Sequence, residues 1–158
     1  MSIFTPVIEL SKIPFRENAA ALTIGPFIFV EKDFAEKLDY VEHEKFHGKM
    51  FWWWALPTIV LAAAAWFFGF LGLWSAIPLG FVGMVLRAGA YNFLESYRLW
   101  EEIQGYAIQA AMNGDTKEKM QHAAKLIYDN YNVKSATEAS IFGKLVDATE
   151  SYSERFGA

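Results

Sequence analysis

The segment that decides the fold is residues 50–86, which read MFWWWALPTIVLAAAAWFFGFLGLWSAIPLGFVGMVL and carry no charge. A membrane-spanning helix needs about 20 apolar residues, so this run is too long for one such helix and close to the length of two. Gly69 and Gly72 lie near its middle, where glycine favours a reversal of the chain. We therefore predict a helical hairpin with spans at about 50–69 and 72–91.

Two further features favour a membrane over a protein interior as the surroundings of this hairpin. Tryptophans lie at its beginning and at its turn, where aromatic side chains anchor helices to the membrane interface: Trp52, Trp53, Trp54 and Trp74. At 158 residues the chain makes one domain, which has little protein with which to cover two apolar helices. We expect a single domain, residues 1–158, with the hairpin inserted at about 50–91. A buried hydrophobic hairpin in a soluble protein is the alternative.

Basic residues near the ends of the two spans predict the orientation of the hairpin. Lys45 and Lys49 precede the first span, Arg87 and Arg98 follow the second, and the turn between them has no basic residue. Because basic residues concentrate on the cytoplasmic side of membrane proteins, we expect both termini in the cytoplasm. The predicted location is the cytoplasmic membrane, and an active site formed by residues outside the hairpin would lie on its cytoplasmic face.

The composition supports a membrane protein and excludes several classes of function. Hydrophobic residues make up 54% of the chain and aromatic residues 17%, which is high for a small soluble domain. The net charge is −4, with acids and bases mixed along the sequence, so no basic face for nucleic acid is expected. Cysteine is absent, which excludes disulfides, thiolate metal ligands and thiol catalysis. Residues 1–15 lack the pattern of a cleavable signal peptide.

The region before the hairpin predicts strands followed by a helix. Two apolar runs, residues 20–24 and 27–30, flank a Gly-Pro pair and are rich in residues that favour strands. They predict two strands or one bent strand. Asp33 is a suitable N-cap for a helix that continues through residues 40–47.

The region after the hairpin is amphipathic and predicts three helices. The first spans about 91–112 and ends at an Asn-Gly turn, and the second begins after Asp115 or Thr116. Ser135 and Glu138 form a capping-box pattern at the start of the third. The predicted fold class is therefore α+β and mostly helical, with short N-terminal strands, a helix before the hairpin, a transmembrane helical hairpin and C-terminal helices.

Residues 43–47 read His-Glu-Lys-Phe-His and form a complete His-Glu-x-x-His motif on the helix before the hairpin. His43 and His47 are one turn apart on the same face of that helix, so both imidazoles can reach one metal ion. Glu44 is offset around the helix and can act as a base on a water molecule rather than as a ligand. Zinc is the expected ion, since it polarises a carbonyl group and lowers the pKa of water.

A third metal ligand is expected on the helix that follows the hairpin. Glu101 and Glu102 are adjacent carboxylates there, and Gly105 shares a helical face with Glu102, where it permits a close approach to the motif helix. Glu95, a turn or two earlier, is a weaker candidate. On periodicity alone, these acids and Arg98 fit a solvated helical face with paired charges equally well.

The order of these elements resembles the gluzincin metallopeptidases, in particular minimal members of that clan and its membrane-integrated CAAX-prenyl and heat-shock protease group. The resemblance rests on residues 18–21, an extended segment at 24–30, the His-Glu-x-x-His motif and a later Glu102-x-x-Gly105. It covers roughly residues 16–110. In the membrane group, two spans often separate the motif helix from the helix that carries the third ligand.

The resemblance implies a role for each matching residue. His43 and His47 would be zinc ligands, Glu102 would be the third ligand, and Glu44 would be the general base. The strand at residues 27–30 would be an edge strand that pairs with an extended polypeptide substrate, a form of β-augmentation.

Two features depart from the pattern of the larger members. Gly105-Tyr106 stands where they have Ala-Asp, and no glycine follows Glu44 to give their common His-Glu-x-Gly-His form. Peptide hydrolysis also needs a group that stabilises the developing oxyanion. Tyr106, Tyr91 and Arg98 are in suitable sequence positions, and we take Tyr106 as the catalytic candidate although the spacing does not select among them.

Three functions are compatible with these features. The first is a membrane-associated zinc metalloendopeptidase that hydrolyses peptide bonds in extended polypeptides. The second is a small membrane-anchored protein of phage or mobile-element type, in which the metal site is structural or vestigial. The third is a zinc hydrolase of non-peptide bonds, since a ligand set does not dictate the bond that is cut. His122 is expected to be an ordinary surface histidine, and the sequence selects neither a particular substrate nor an oligomeric state.

Overall fold

A computed structural model describes residues 5–12, 21–34, 38–131 and 133–156. In chain order the elements are β1 (Val7–Leu10), β2 (Ala21–Ile24), β3 (Phe27–Glu31), a turn of 3-10 helix (Lys32–Phe34), α1 (Leu38–Phe67), α2 (Leu73–Phe93), α3 (Glu95–Asn113), α4 (Lys117–Asn130) and α5 (Glu138–Phe156). This arrangement is mostly helical with a small sheet, in agreement with the predicted α+β class. Residues 18–20, on which the resemblance partly rests, lie outside the described residues.

The sheet has the strand order β1-β3-β2, which makes β3 its central strand. β2 and β3 form an antiparallel pair around Gly25, whose φ of 61° lies in the left-handed region that glycine tolerates. β1 pairs in parallel with the other side of β3. No strand was predicted there, since residues 7–10 do not alternate between apolar and polar side chains. The prediction that residues 27–30 form an edge strand is wrong, because both sides of β3 are paired. Among the described strands, β2 is an edge strand and contacts α1.

One continuous helix, α1, carries both the His-Glu-x-x-His motif and the first apolar span. It contains 30 residues, with Pro57 accommodated inside it. At 1.5 Å per residue its length is about 45 Å, so the motif is rigidly joined to the span. Asp33 is not the N-cap as predicted, because it lies inside the 3-10 turn that directly follows β3. Residues 35–37, between this turn and α1, lie outside the described residues.

α1 and α2 form a helical hairpin, and each is long and apolar enough to cross a membrane. Gly83 is buried where the two helices cross, since a Cβ there would lie 1.8 Å from the backbone oxygen of Trp54. The hydroxyl of Thr58 accepts a hydrogen bond from the Gly83 N–H at 3.2 Å, which adds a polar contact to this crossing. Much of the apolar surface faces outward, with Phe70 81% and Trp74 86% exposed near the turn.

A cluster of buried hydrophobic residues lies between α3, α4 and α5. It is formed by Leu99, Ile103, Ala107, Ala110, Met120, Ala124, Ile127, Val133, Ile141 and Leu145. Leu94 adopts an extended conformation that separates α2 from α3. Residues 91–93 therefore belong to the hairpin and not to the helix predicted at 91–112.

The ends of the later helices follow local signals with one exception. Gly114 ends α3 in the left-handed conformation with φ 58°, and Thr116 is the N-cap of α4. The N-cap of α5 is Thr137, whose hydroxyl accepts a hydrogen bond from the backbone of Ser140 at 3.2 Å. Ser135 does not cap this helix as predicted, because its N–H and hydroxyl both donate to Glu95.

Candidate metal centre

The two histidines of the motif lie together on the face of α1 that is turned towards α3. His43 and His47 are buried, and their ring centroids are 5.1 Å apart. This placement follows from their spacing, because residues four apart on a helix share one face.

Glu102 of α3 completes a group that could hold a metal ion. Its Oε2 lies 3.9 Å from Nε2 of His43, and its Oε1 lies 3.8 Å from Nε2 of His47. One ligand atom from each of the three residues lies within 4.8 Å of the others. Two ligands bound to a tetrahedral zinc at about 2.0–2.1 Å lie about 3.3 Å apart, so small side-chain movements suffice to close the group around an ion.

Two observations indicate that these residues fit a metal. Glu102 Oε2 is buried and has no hydrogen-bond partner among the described residues, which is costly unless a cation balances it. Gly105 of α3 is also needed, because a Cβ at that position would lie 2.7 Å from Nε2 of His43. The predicted pairing of Glu102 with a glycine one turn later therefore has a direct steric reason.

The two other acidic candidates on α3 do not point into this group. Glu101 is fully buried on the far side of His47, where its Oε1 accepts a hydrogen bond from Nδ1 of that histidine at 3.0 Å. It also accepts one from the guanidinium of Arg87. Glu95 instead accepts hydrogen bonds from the backbone of Lys134 and Ser135. Glu101 thus orients the ring of His47, and Glu95 fixes the loop that contains Lys134 and Ser135.

The protonation of the two histidines is set by burial and by neighbouring carboxylates. Burial and the adjacent His47 lower the pKa of His43 to about 4, so this imidazole is neutral at pH 7 and available as a ligand. Burial also acts to lower the pKa of His47, but the hydrogen bond to Glu101 and the charge of Glu102 outweigh it and leave that pKa raised. The Nδ1–H bond to Glu101 fixes the tautomer that presents Nε2 to the metal group.

A second chain of polar contacts orients His43. Its ring is hydrogen-bonded to the side chain of Gln109. Gln109 in turn donates to the carboxylate of Asp39 at 3.0 Å, as does Asn113. Each histidine therefore has its own carboxylate-linked support, an arrangement common around metal ligands.

Glu44 lies beside the metal group at the edge of an open cleft. Its Oε2 accepts a hydrogen bond of 2.5 Å from the hydroxyl of Thr23 on β2, which also donates to the Glu44 backbone oxygen. Glu44 does not belong to the group that could hold the ion. Glu44 thus lies next to the group without being part of it, and its action as a base stays a prediction.

The cleft has a volume of about 970 Å3 and lies between β2, α1, α3 and α4. Tyr106 lines it, with its ring edge-on to His43 at 4.8 Å between centroids. The other residues that line it are Ala21, Phe34, Tyr40, His43, Glu44, Gln109, Ala110, Asp115, Glu118, Lys119, Met120, His122, Ala123, Leu126, Asn130 and Tyr131. His122 is exposed, as expected for a surface histidine.

Two other tyrosines surround Glu102. The Tyr91 hydroxyl donates to Glu102 Oε1, and the pKa of Tyr131 is raised by burial and by the negative charge of Glu102. Arg98 donates to the backbone oxygens of Tyr91 and Tyr131 and so supports the framework of the site. Tyr131 was missed from sequence because no local pattern links the end of α4 to the motif. The role of Arg87 had one indication in the sequence, because Arg87 is a lone charge that follows a long apolar run.

Comparison of the chain with protein-family models, curated proteins and solved structures found no match.

Proposed function

We propose that the protein is a membrane-associated zinc metalloendopeptidase that hydrolyses peptide bonds in extended polypeptides at the cytoplasmic face of the cytoplasmic membrane. The observation that carries the proposal is the convergence of buried His43, His47 and Glu102 beside a cleft that Glu44 lines. Two nitrogens and one carboxylate form a ligand set found in catalytic zinc sites, which leave a coordination position open. The resemblance to gluzincin metallopeptidases supports the same assignment.

The residues around the group supply the remaining parts of a hydrolytic mechanism. When bound, zinc supplies Lewis acidity that polarises the scissile carbonyl and lowers the pKa of water. Glu44 takes the proton of the attacking water and delivers it to the leaving amine, while the hydroxyl of Thr23 holds its carboxylate in place. Tyr106 donates a hydrogen bond to the carbonyl oxygen as negative charge develops there, with Tyr131 as the second candidate for this role.

An extended substrate would pair with β2 and not with β3. Within the described residues β2 is an edge strand, Thr23 on it contacts Glu44, and Ala21 lines the cleft. A polypeptide added along this edge would pass the general base and the metal group by main-chain hydrogen bonding. That mode of recognition suits substrates without a strict side-chain requirement at every position.

The hairpin would hold the site at the membrane surface. Residue 50, where the apolar run begins, comes three residues after His47 on the same helix, a rise of about 4.5 Å. If α1 and α2 insert, the metal group lies at the level of the lipid headgroups. The cytoplasmic side is proposed from the basic residues that flank the two spans, among them exposed Lys49.

A second candidate is a small membrane-anchored protein, of the kind carried by phages or mobile elements, with a structural or vestigial metal site. The exposed apolar surface of the hairpin supports it as well as it supports the enzyme. A structural zinc, however, is closed by a fourth protein ligand. Across the part of the chain that the structure describes, three such residues converge, so the ligand count favours a catalytic site.

Zinc stoichiometry and peptide cleavage test the proposal with four variants of the full chain in detergent micelles. Wild-type protein should bind about one equivalent of zinc, which His43→Ala and Glu102→Ala should lose. Glu44→Gln should retain zinc and lose cleavage of unstructured peptides, read by mass spectrometry. Glu42→Gln is the matched control, because Glu42 pairs with Lys45 outside the metal group. Zinc-free wild type, or full activity in Glu44→Gln, would contradict the proposal.

A further inference from the structure

The second helix of the hairpin reaches into the metal centre with two side chains. Arg87 and Tyr91 are one turn apart on α2 and share one face. Arg87 donates to Glu101, and Tyr91 donates to Glu102. The two adjacent carboxylates of α3 therefore each have a partner supplied by the hairpin.

Arg87 is the unusual member of this pair. It is the single charged residue between Lys49 and Glu95, at the end of a long apolar run. Its side chain is only 15% exposed, and it also donates to the backbone oxygen of His47 at 3.4 Å. A cation in such a segment is costly unless it is paired, so its position is explained by the contact with Glu101.

Glu101 links this cation to a metal ligand. The carboxylate is fully buried, and the same oxygen accepts hydrogen bonds from Arg87 and from Nδ1 of His47. A carboxylate removed from water is stable only when it is paired and hydrogen-bonded. Without Arg87, the Glu101 carboxylate would keep its hydrogen bond to the His47 ring but would lose its cationic partner, and a buried charge of this kind would not keep its place.

We propose that Arg87 is a positioning residue that couples the hairpin to the metal centre. Through Glu101 it holds His47 with Nε2 directed at Glu102, so metal binds tightly only when α2 is docked. The inference rests on the proposed function in taking the His43, His47 and Glu102 group as a metal site. Because such coupling is reciprocal, bound metal in turn stabilises the docked hairpin. A chain whose hairpin has not packed is therefore metal-poor and inactive.

Zinc affinity in a double-mutant cycle tests this coupling. The full chain in detergent micelles competes with a chromophoric chelator for zinc. Arg87→Met and Glu101→Met should each weaken zinc binding about 10- to 100-fold. The double variant should bind zinc at least as tightly as either single variant, because the two residues act as one unit. Arg87→Lys, which keeps the charge, should recover most of the affinity. Lys125→Met, which removes a cation from an exposed ion pair with Asp129, is the matched control.

A second measurement separates positioning from a merely structural role. Zinc should slow hydrogen exchange in α2 of the wild-type protein and should slow it much less in Arg87→Met, where Tyr91 still joins α2 to the metal group. The coupling would be overturned if Arg87→Met folds and binds zinc with wild-type affinity, or if the losses of affinity in the cycle are additive. Either result would leave the proposed function untouched.

If Arg87→Met does not fold, the coupling is tested with the Arg87→Met/Glu101→Met double variant, because that variant buries no unpaired charge. Wild-type affinity in the double variant would then overturn the coupling. A wild-type protein that binds no zinc would instead overturn the proposed function, and the coupling with it.

Discussion

Replacing Gly105 by alanine tests the geometry of the metal centre directly. A Cβ at this position would lie 2.7 Å from Nε2 of His43 and 2.9 Å from both Cδ2 and Cε1 of the same ring. Non-bonded heavy atoms normally lie about 3.5–4.0 Å apart. The imidazole must therefore move by roughly 1 Å, or α3 must withdraw from α1 by a similar distance.

Two energies oppose each other in the metal-free Gly105→Ala protein. Overpacking costs about 1–3 kcal/mol, whereas replacing a helical glycine by alanine stabilises the helix by about 1 kcal/mol. The free energy of unfolding should fall by about 0–2 kcal/mol. Zinc binding should suffer more, because metal–ligand distances tolerate only about 0.2 Å of error. We expect zinc affinity to fall by about 10- to 100-fold or more.

The assay compares zinc affinity and thermal unfolding of Gly105→Ala with those of Gly143→Ala. Gly143 lies in α5, and a Cβ there meets no atom within 4 Å. This control should gain helix stability and bind zinc as the wild type does. Wild-type zinc affinity in Gly105→Ala would refute the close approach of α3 to His43, and with it the assignment of Glu102 as the third ligand.

Three further substitutions probe the hairpin, the general base and a loop. Gly83→Ala places a Cβ 1.8 Å from the backbone of α1, so the melting temperature of this variant in micelles should fall. Gly89→Ala is the control, because a Cβ there meets no atom within 4 Å, and its melting temperature should not fall. Thr23→Val frees the Glu44 carboxylate and should lower kcat about 10- to 100-fold at unchanged zinc content; unchanged kcat would exclude a positioning role. Backbone and hydroxyl hydrogen bonds from the loop after α4 lower the pKa of Glu95. Glu95→Gln should therefore melt lower than wild type at neutral pH, and the difference should vanish as the pH falls through that lowered pKa; a difference that persists in acid would contradict this.

Local patterns predicted the helical part of the fold well. The uncharged run at residues 50–86 predicted two apolar helices, and the structure has them joined near Gly69. Gly114 and Thr116 marked the end of α3 and the start of α4. These features depend on hydrophobic periodicity and capping, which act between residues a few positions apart.

Strand arrangement was not predictable in the same way. β1 has no alternation of apolar and polar residues, and its parallel pairing with β3 joins segments about 20 positions apart. That pairing covers the second side of β3, so that β1 and β2 are the edge strands of the described sheet. The strand that we propose for substrate binding changed accordingly, because edges are set by which strands pair and not by the composition of any one strand.

For the candidate metal centre, the sequence by itself determined the residue types: two histidines one turn apart and carboxylates on a later helix as possible ligands, and a glutamate between the histidines as a possible base. Only the tertiary structure decided between Glu101 and Glu102. Adjacent residues point about 100° apart around a helix, so the rotation of α3 against α1 aims Glu102 at both Nε2 atoms and Glu101 at Nδ1 of His47. That rotation depends on the contact at Gly105, and Arg87 reaches the site only because α2 folds back beside α3.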